Sequence, residues 1–263
     1  MVDNVKCYSS EIIKERVMKK RLLLLSSILL TACSSDPGED FNKAVEHADN
    51  QNWVKSAKYA KRAAENNPTS LTEAFNALCL LKQSKQAEAI EVLERLAQKE
   101  SDSAVLQYIC GKALLDSQNL SAAYYYLNNS YKLDKSNHDC LLLLFQTAVK
   151  LNKPEAKTLF LQAQKIPKLG SSAVLTNNIA VWYAKQGLPN AYQKFRVASL
   201  TDRNNPQIML NNAILLDQKK HYASALKGYR TYLLLTRKQS SNQHLYVSNR
   251  IAAIENYLKN QSP

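Results

Sequence analysis

Glycine and proline are scarce: 263 residues contain 5 Gly and 7 Pro. Sandwiches and barrels need many turns built from these residues, so the composition argues against an all-β fold. The glycines (Gly38, Gly111, Gly170, Gly187, Gly228) are also scattered, the closest pair being Gly170 and Gly187. No P-loop, Rossmann fingerprint or kinase glycine loop can be written with them, because each needs clustered glycines to bring backbone against phosphate. The four histidines (His47, His138, His221, His244) have no HExxH or other close ligand spacing. Cys79, Cys110 and Cys140 are each separated by nearly a whole repeat of the pattern described below, whereas a zinc site wants ligands paired two to four positions apart. No GxSxG elbow occurs. The sequence thus names no catalytic constellation, metal or cofactor. With 45% hydrophobic and 22% charged residues it is still a folded chain.

Long apolar runs are missing too. The best is Leu22 to Leu30, far short of the roughly 20 residues that span a bilayer. It follows the basic head Met18-Lys19-Lys20-Arg21 and leads into Leu30-Thr31-Ala32-Cys33. A basic head, a short apolar stretch and a small-residue cleavage site make a secretory signal. Leu30-Thr31-Ala32-Cys33 resembles the lipobox of bacterial lipoproteins. The resemblance implies a signal peptide over 18–32, acylation of Cys33 and a mature chain starting there. An ordinary signal peptide that happens to carry a Cys is the alternative. Residues 1–17 precede a good start at Met18, carry no pattern, and read as a mis-assigned start. Ser34, where Asp in that family favours inner-membrane retention, implies the outer membrane facing the periplasm. A tether over 33–40 reaches roughly 25 Å from the lipid at full extension.

The mature chain repeats. A small residue recurs at Ala44, Ala77, Gly111, Ala180 and Ala213, with Leu144 as the bulky exception. A second series runs Ser56, Ala89, Ala123, Ala156, Ala191, Ala225, and four positions after each comes Ala60, Leu93, Leu127, Phe160, Phe195 or Tyr229. Ala44 to Ala213 and Ser56 to Ala225 are each covered in five steps, a mean period near 34. Small residues let paired helices approach closely, and the larger ones fill the space beside the next pair. This pattern resembles tetratricopeptide repeats, best in the unit from Asn178 through Ala180, Tyr183, Gly187, Ala191 and Phe195. It implies an all-α fold, an α-solenoid of about six such helix pairs over 41–239. A non-repetitive helical bundle is the alternative. Val247, Ile251, Ile254 and Leu258 predict a capping helix within 240–263. The stretch Pro167 to Ser172 reads either as a hinge or as a turn insertion. Asn66-Asn67-Pro68 and Asn204-Asn205-Pro206 should each stop one helix and open the next.

Charge is uneven. Residues 34–136 hold 12 Lys/Arg against 14 Asp/Glu, and residues 137–263 hold 17 against 5. The basic half could attract acidic protein, anionic headgroups or anionic cell-wall polymer, or could simply be a soluble face. Nucleic acid fits an exported chain poorly. The repeat resemblance implies a protein or peptide ligand along the face of the first helices. The positions beside the small slot there include Tyr108, Lys112, Phe145, Asn177, Val181, Lys185 and Ile214. Asn178 and Asn211, one period apart, match an Asn that often precedes the family's small residue, and side by side they could hold a ligand backbone. Lys185 would meet a ligand carboxylate. Packing between neighbouring first helices is the competing reading of the same residues. The expected function is a membrane-anchored, non-catalytic adaptor of the cell envelope, of the kind that assembles pilus or outer-membrane machinery. The alternative is a structural lipoprotein that binds an anionic surface. The segment 240–263, outside the repeats, is too short for a catalytic domain.

Overall fold

The computed structural model describes residues 38–237 and 242–260; the signal segment, Cys33 and most of the tether lie outside the described residues. The elements are thirteen helices and one four-residue helical turn, with no strand among the described residues. They divide into two compact units between Thr147 and Ala148.

The unit before that division holds α1 (Glu39–Asp49), α2 (Trp53–Asn66), α3 (Ser70–Lys82), α4 (Gln86–Lys99), α5 (Ala104–Asp116), α6 (Leu120–Leu133) and most of α7 (His138–Lys150). Helices pack as successive antiparallel pairs, α1 with α2, α3 with α4 and α5 with α6, and each pair leans on the next. The sequence-predicted slots are where they touch: Ala44, Ser56, Ala77, Ala89 and Ala123 are all fully buried. Ser56 Oγ donates to Ala44 O at 2.8 Å, tying the second slot to the first. At Gly111 the fit is tighter still. A Cβ there would come within 2.8 Å of Leu127 Cγ and 2.9 Å of its backbone nitrogen. Phe41 and Phe75 meet edge to face at 5.3 Å in the core of the first pairs.

The second unit holds α8 (Ala156–Gln164), the single turn α9 (Pro167–Gly170), α10 (Ala173–Lys185), α11 (Ala191–Thr201), α12 (Pro206–Gln218), α13 (Tyr222–Leu235) and α14 (Asn242–Lys259). Pairs α10/α11 and α12/α13 repeat the packing, and Gly228 sits where a Cβ would be 2.8 Å from that of Ala213. The longer fourth step of the repeat is taken up by α9, after which Ser172 caps α10. Pro206 opens α12 as its first residue, whereas Pro68 stays in the link, and Thr69 caps α3 through a reciprocal capping box.

One feature of the backbone repeats as regularly as the side chains. Gln51, Ser84, Gln118, Asn152, Gly187 and Lys220 each have φ between 57° and 64°, and each sits in the turn joining the first helix of a pair to the second. From Gln51 to Lys220 they advance in five steps at the same mean period as the slots. Only one of the six is glycine, although the left-handed region suits glycine best.

The capping helix forms as predicted, burying Val247 and Ile254 and half-burying Ile251 and Leu258. It is fastened by charge as well. Arg250 donates from Nε and Nη2 to the two oxygens of Asp217 at 2.7 and 2.8 Å, and Tyr229 Oη donates to the same carboxylate at 2.9 Å. Burial is the largest single influence on Asp217 and pushes its pKa up. The two hydrogen-bond donors and the guanidinium charge together outweigh it and hold the carboxyl below its ordinary value.

Candidate peptide-binding face

The sequence predicts Asn178 and Asn211 as neighbouring amides, and the hydrogen bond between the two helices runs from Asn211 to Asn177. Asn177 and Asn178 on α10 and Asn211 on α12 are all fully buried. Gln207 Nε2 donates to Asn211 Oδ1 at 2.9 Å, and Asn211 Nδ2 donates to Asn177 Oδ1 at 3.1 Å. Asn177 Nδ2 continues the chain to Asn178 Oδ1 at 3.5 Å. The partner of Asn211 is thus Asn177, one repeat earlier, rather than Asn178. The Asn211–Asn177 bond ties successive first helices together, and leaving either amide unpaired would cost about 1–3 kcal/mol. They are a seam of the array and expose nothing to a ligand.

The other predicted groove positions are corrected in the same sense. Val181 and Phe145 are fully buried, Ile214 is 4% exposed and Tyr108 8% exposed. Of the nine residues only Lys112, half-buried on α5, and Lys185, exposed at the end of α10, have substantial surface. The physical reason is that α5, α10 and α12 each touch neighbours on several sides, so most faces of these helices are interior.

What stays partly open on the first helices of the earlier unit is the residue just after the slot and the one a turn further along. Leu78 and Leu81 on α3 and Lys112 and Leu115 on α5 are half-buried. Leu78 pairs with Lys112 and Leu81 with Leu115, each one repeat apart, so stacking sets them in two rows. Lys82 continues the edge beside Trp53, its ammonium 5.1 Å from the ring centre, and burial lowers its pKa while Asp116 opposes that shift. Leu81 and Leu115 were readable in the sequence as the residues four beyond each small slot. Such rows supply apolar contact with a cation at hand, which suits a peptide side chain and its carboxylate.

Nothing else described competes as a reactive centre. Cys79, Cys110 and Cys140 are free, buried thiols on first helices, pushed up by burial to about 11, about 12 and about 11. They are protonated at neutral pH and behave as small apolar residues. Among the described residues no three His, Cys, Asp or Glu side chains group as metal ligands. On α6, Tyr126 packs inward and Tyr125 is exposed.

No family model and no curated protein matches the sequence. Solved structures do. The chain is similar to a tetratricopeptide repeat protein from Parabacteroides merdae, with a TM-score of 0.64 and 12% identity over 86% of this chain and 93% of that one. It is also similar to YrrB, described as a tetratricopeptide protein with an unusual peptide-binding site, with a TM-score of 0.54 and 17% identity over 69% and 94%. A chain of the APC/C hetero-tetramer Cut9–Hcn1 matches at a TM-score of 0.56 and 16% identity, covering 90% of this chain. The present chain spans 46% of that longer one. At these identities the likeness shows the fold: the chain is an all-α tetratricopeptide solenoid.

Proposed function

We propose that this chain is a lipid-anchored adaptor of the bacterial cell envelope, held at Cys33, that recruits a protein segment to its first-helix face and carries out no catalysis itself. The observation behind this reading is the pair of half-open rows Leu78/Lys112 and Leu81/Leu115, repeated at the period of the array. The peptide-binding description of YrrB supports the same use of the fold, and the Leu30 to Cys33 signal supports envelope attachment. Outer-membrane placement and a part in assembling envelope machinery follow from that signal only as extensions of the proposal. Photo-crosslinking residues placed at Leu81 and Leu115 test the face in intact cells. A discrete crosslinked protein, absent when the same residue replaces exposed Lys58 on α2, is expected. Equal, diffuse crosslinking from all three positions would overturn the assignment. Separately, Cys33→Ser should abolish metabolic lipid labelling and release the chain from the membrane fraction; retained labelling would refute the anchor.

A further inference from the structure

Charge divides the chain sharply. Residues 148–263 contain 17 Lys/Arg and 4 Asp/Glu, a net +13 that equals the formal charge of the whole protein; residues 1–147 balance to zero. Within the second unit the second helices of the pairs carry five of these cations: Lys157, Lys194, Arg196, Lys227 and Arg230. α8, α11 and α13 contain no acidic residue at all. Their solvent faces are not purely polar either. Leu161 is 49% exposed, Val197 54%, Leu200 53% and Leu234 65%. Single exposed leucines are ordinary, but Leu200 and Leu234 recur at one repeat position. Lys165, Leu200 and Leu234 follow one another at about the repeat period, as do Leu161, Arg196 and Arg230. Each row mixes aliphatic and cationic side chains.

One neighbouring acid reaches this face and the other does not. Arg230 pairs with Glu255 of α14 at 2.6 Å, and Asp217 is turned inward to Arg250. Lys157, Lys165, Arg196 and Lys227 form no ion pair among the described residues. At the α13 end, Leu226, Lys227, Arg230, Leu234 and Leu258 line a hollow of about 550 Å³ between α13 and α14. It has the same mixture of aliphatic walls and cations.

We infer that the second-helix face of this unit (α8, α11 and α13) lies on an anionic lipid surface. Leucines interleaved with cations, and no acid, are the composition of an interfacial membrane surface. A protein partner would favour contiguous anchors in a packed pocket. Here the leucines are dispersed over three helices, and a fluid lipid surface can take up each independently. Each cation near such a surface contributes about fivefold in partitioning. This inference goes beyond the adaptor reading and does not depend on acylation.

The test uses the mature chain carrying Cys33→Ser, which cannot be lipidated, sedimented with vesicles of equal phosphatidylglycerol and phosphatidylcholine, or of phosphatidylcholine alone. Binding to the anionic vesicles only is expected. Arg196→Gln with Lys227→Gln should weaken it by about 25-fold. Val197→Ser with Leu200→Ser should weaken it by about tenfold and leave binding more salt-sensitive. All four side chains are exposed, so the helical circular dichroism and melting midpoint should hold. Val54→Ser with Lys58→Gln on α2 is the matched control and should change nothing. Failure to bind anionic vesicles, equal loss in the control, or binding to polyglutamate with no binding to vesicles would each overturn the inference. The last result would assign the face to an acidic polypeptide instead.

Discussion

Replacing Arg250 by Met tests what holds the capping helix. The substitution keeps the aliphatic stem and removes two hydrogen bonds, at 2.7 and 2.8 Å, from a carboxylate whose side chain is 8% exposed. Only Tyr229 Oη then remains of the three donors. Breaking a fully buried pair costs about 3–5 kcal/mol, but the Arg250 side chain is 39% exposed and solvent takes part of that interaction. A loss of about 2 kcal/mol is therefore expected. It should appear locally, because repeat arrays divide their stability among neighbours and α14 packs on α13 of the last pair. Hydrogen exchange should accelerate in α14 and around Tyr229, and stay unchanged in α1 to α4. Asp217→Asn combined with Arg250→Met should cost less than the sum of the two single changes, since no charge is left stranded. The pH dependence has a definite sign. Asp217 is depressed in the folded chain, so its contribution is present above the unfolded carboxylate pKa and fades as pH falls through the lowered folded value. Arg250→Met should remove that part of the acid sensitivity. Unchanged exchange in α14, or strictly additive single changes, would refute the reasoning.

Three further outcomes follow from backbone and slot geometry. Gln118→Gly and Lys220→Gly relieve left-handed residues at φ 64° and 61° on exposed turns, and each should raise stability by about 0.5–1 kcal/mol in thermal denaturation. Gly111→Ala drives a Cβ against Leu127, backbone included, and should cost about 1–3 kcal/mol; a tolerated alanine would show that α5 and α6 can separate freely. Asn211→Ala strands buried Asn177 Oδ1 and should lower the melting midpoint by several degrees, a loss of about 1–3 kcal/mol. An unchanged midpoint with a separate defect in partner binding would return these amides to the ligand surface.

The pairing of helices was readable because it depends on local chemistry. Close approach demands small side chains, and Ala44, Ala77, Gly111, Ala180 and Ala213 state that demand at a fixed interval. The turns were not readable as left-handed. At five of six such positions the chain uses Gln, Ser, Asn or Lys, whose cost of about 1–2 kcal/mol is borne by the packing on either side. Glycine signals that conformation only at Gly187.

The binding face was harder for a different reason. α5, α10 and α12 are apolar nearly all round, and a helix of that kind gives no periodic hint of which side meets solvent. Choosing the residues beside the slot therefore selected Val181, Phe145 and Ile214, which are interior. The second helices are the reverse case. Phe160, Phe195 and Tyr229 mark their buried side, so positions turned well away from it are open to water. Leu161, Val197, Leu200 and Leu234 fall there, and core packing does not account for them. Singly such residues need no explanation, and it is their company of cations on helices without acid that gives them weight. The exposed leucines of the second helices, rather than the buried asparagines of the first, are therefore where the inferred lipid contact is tested.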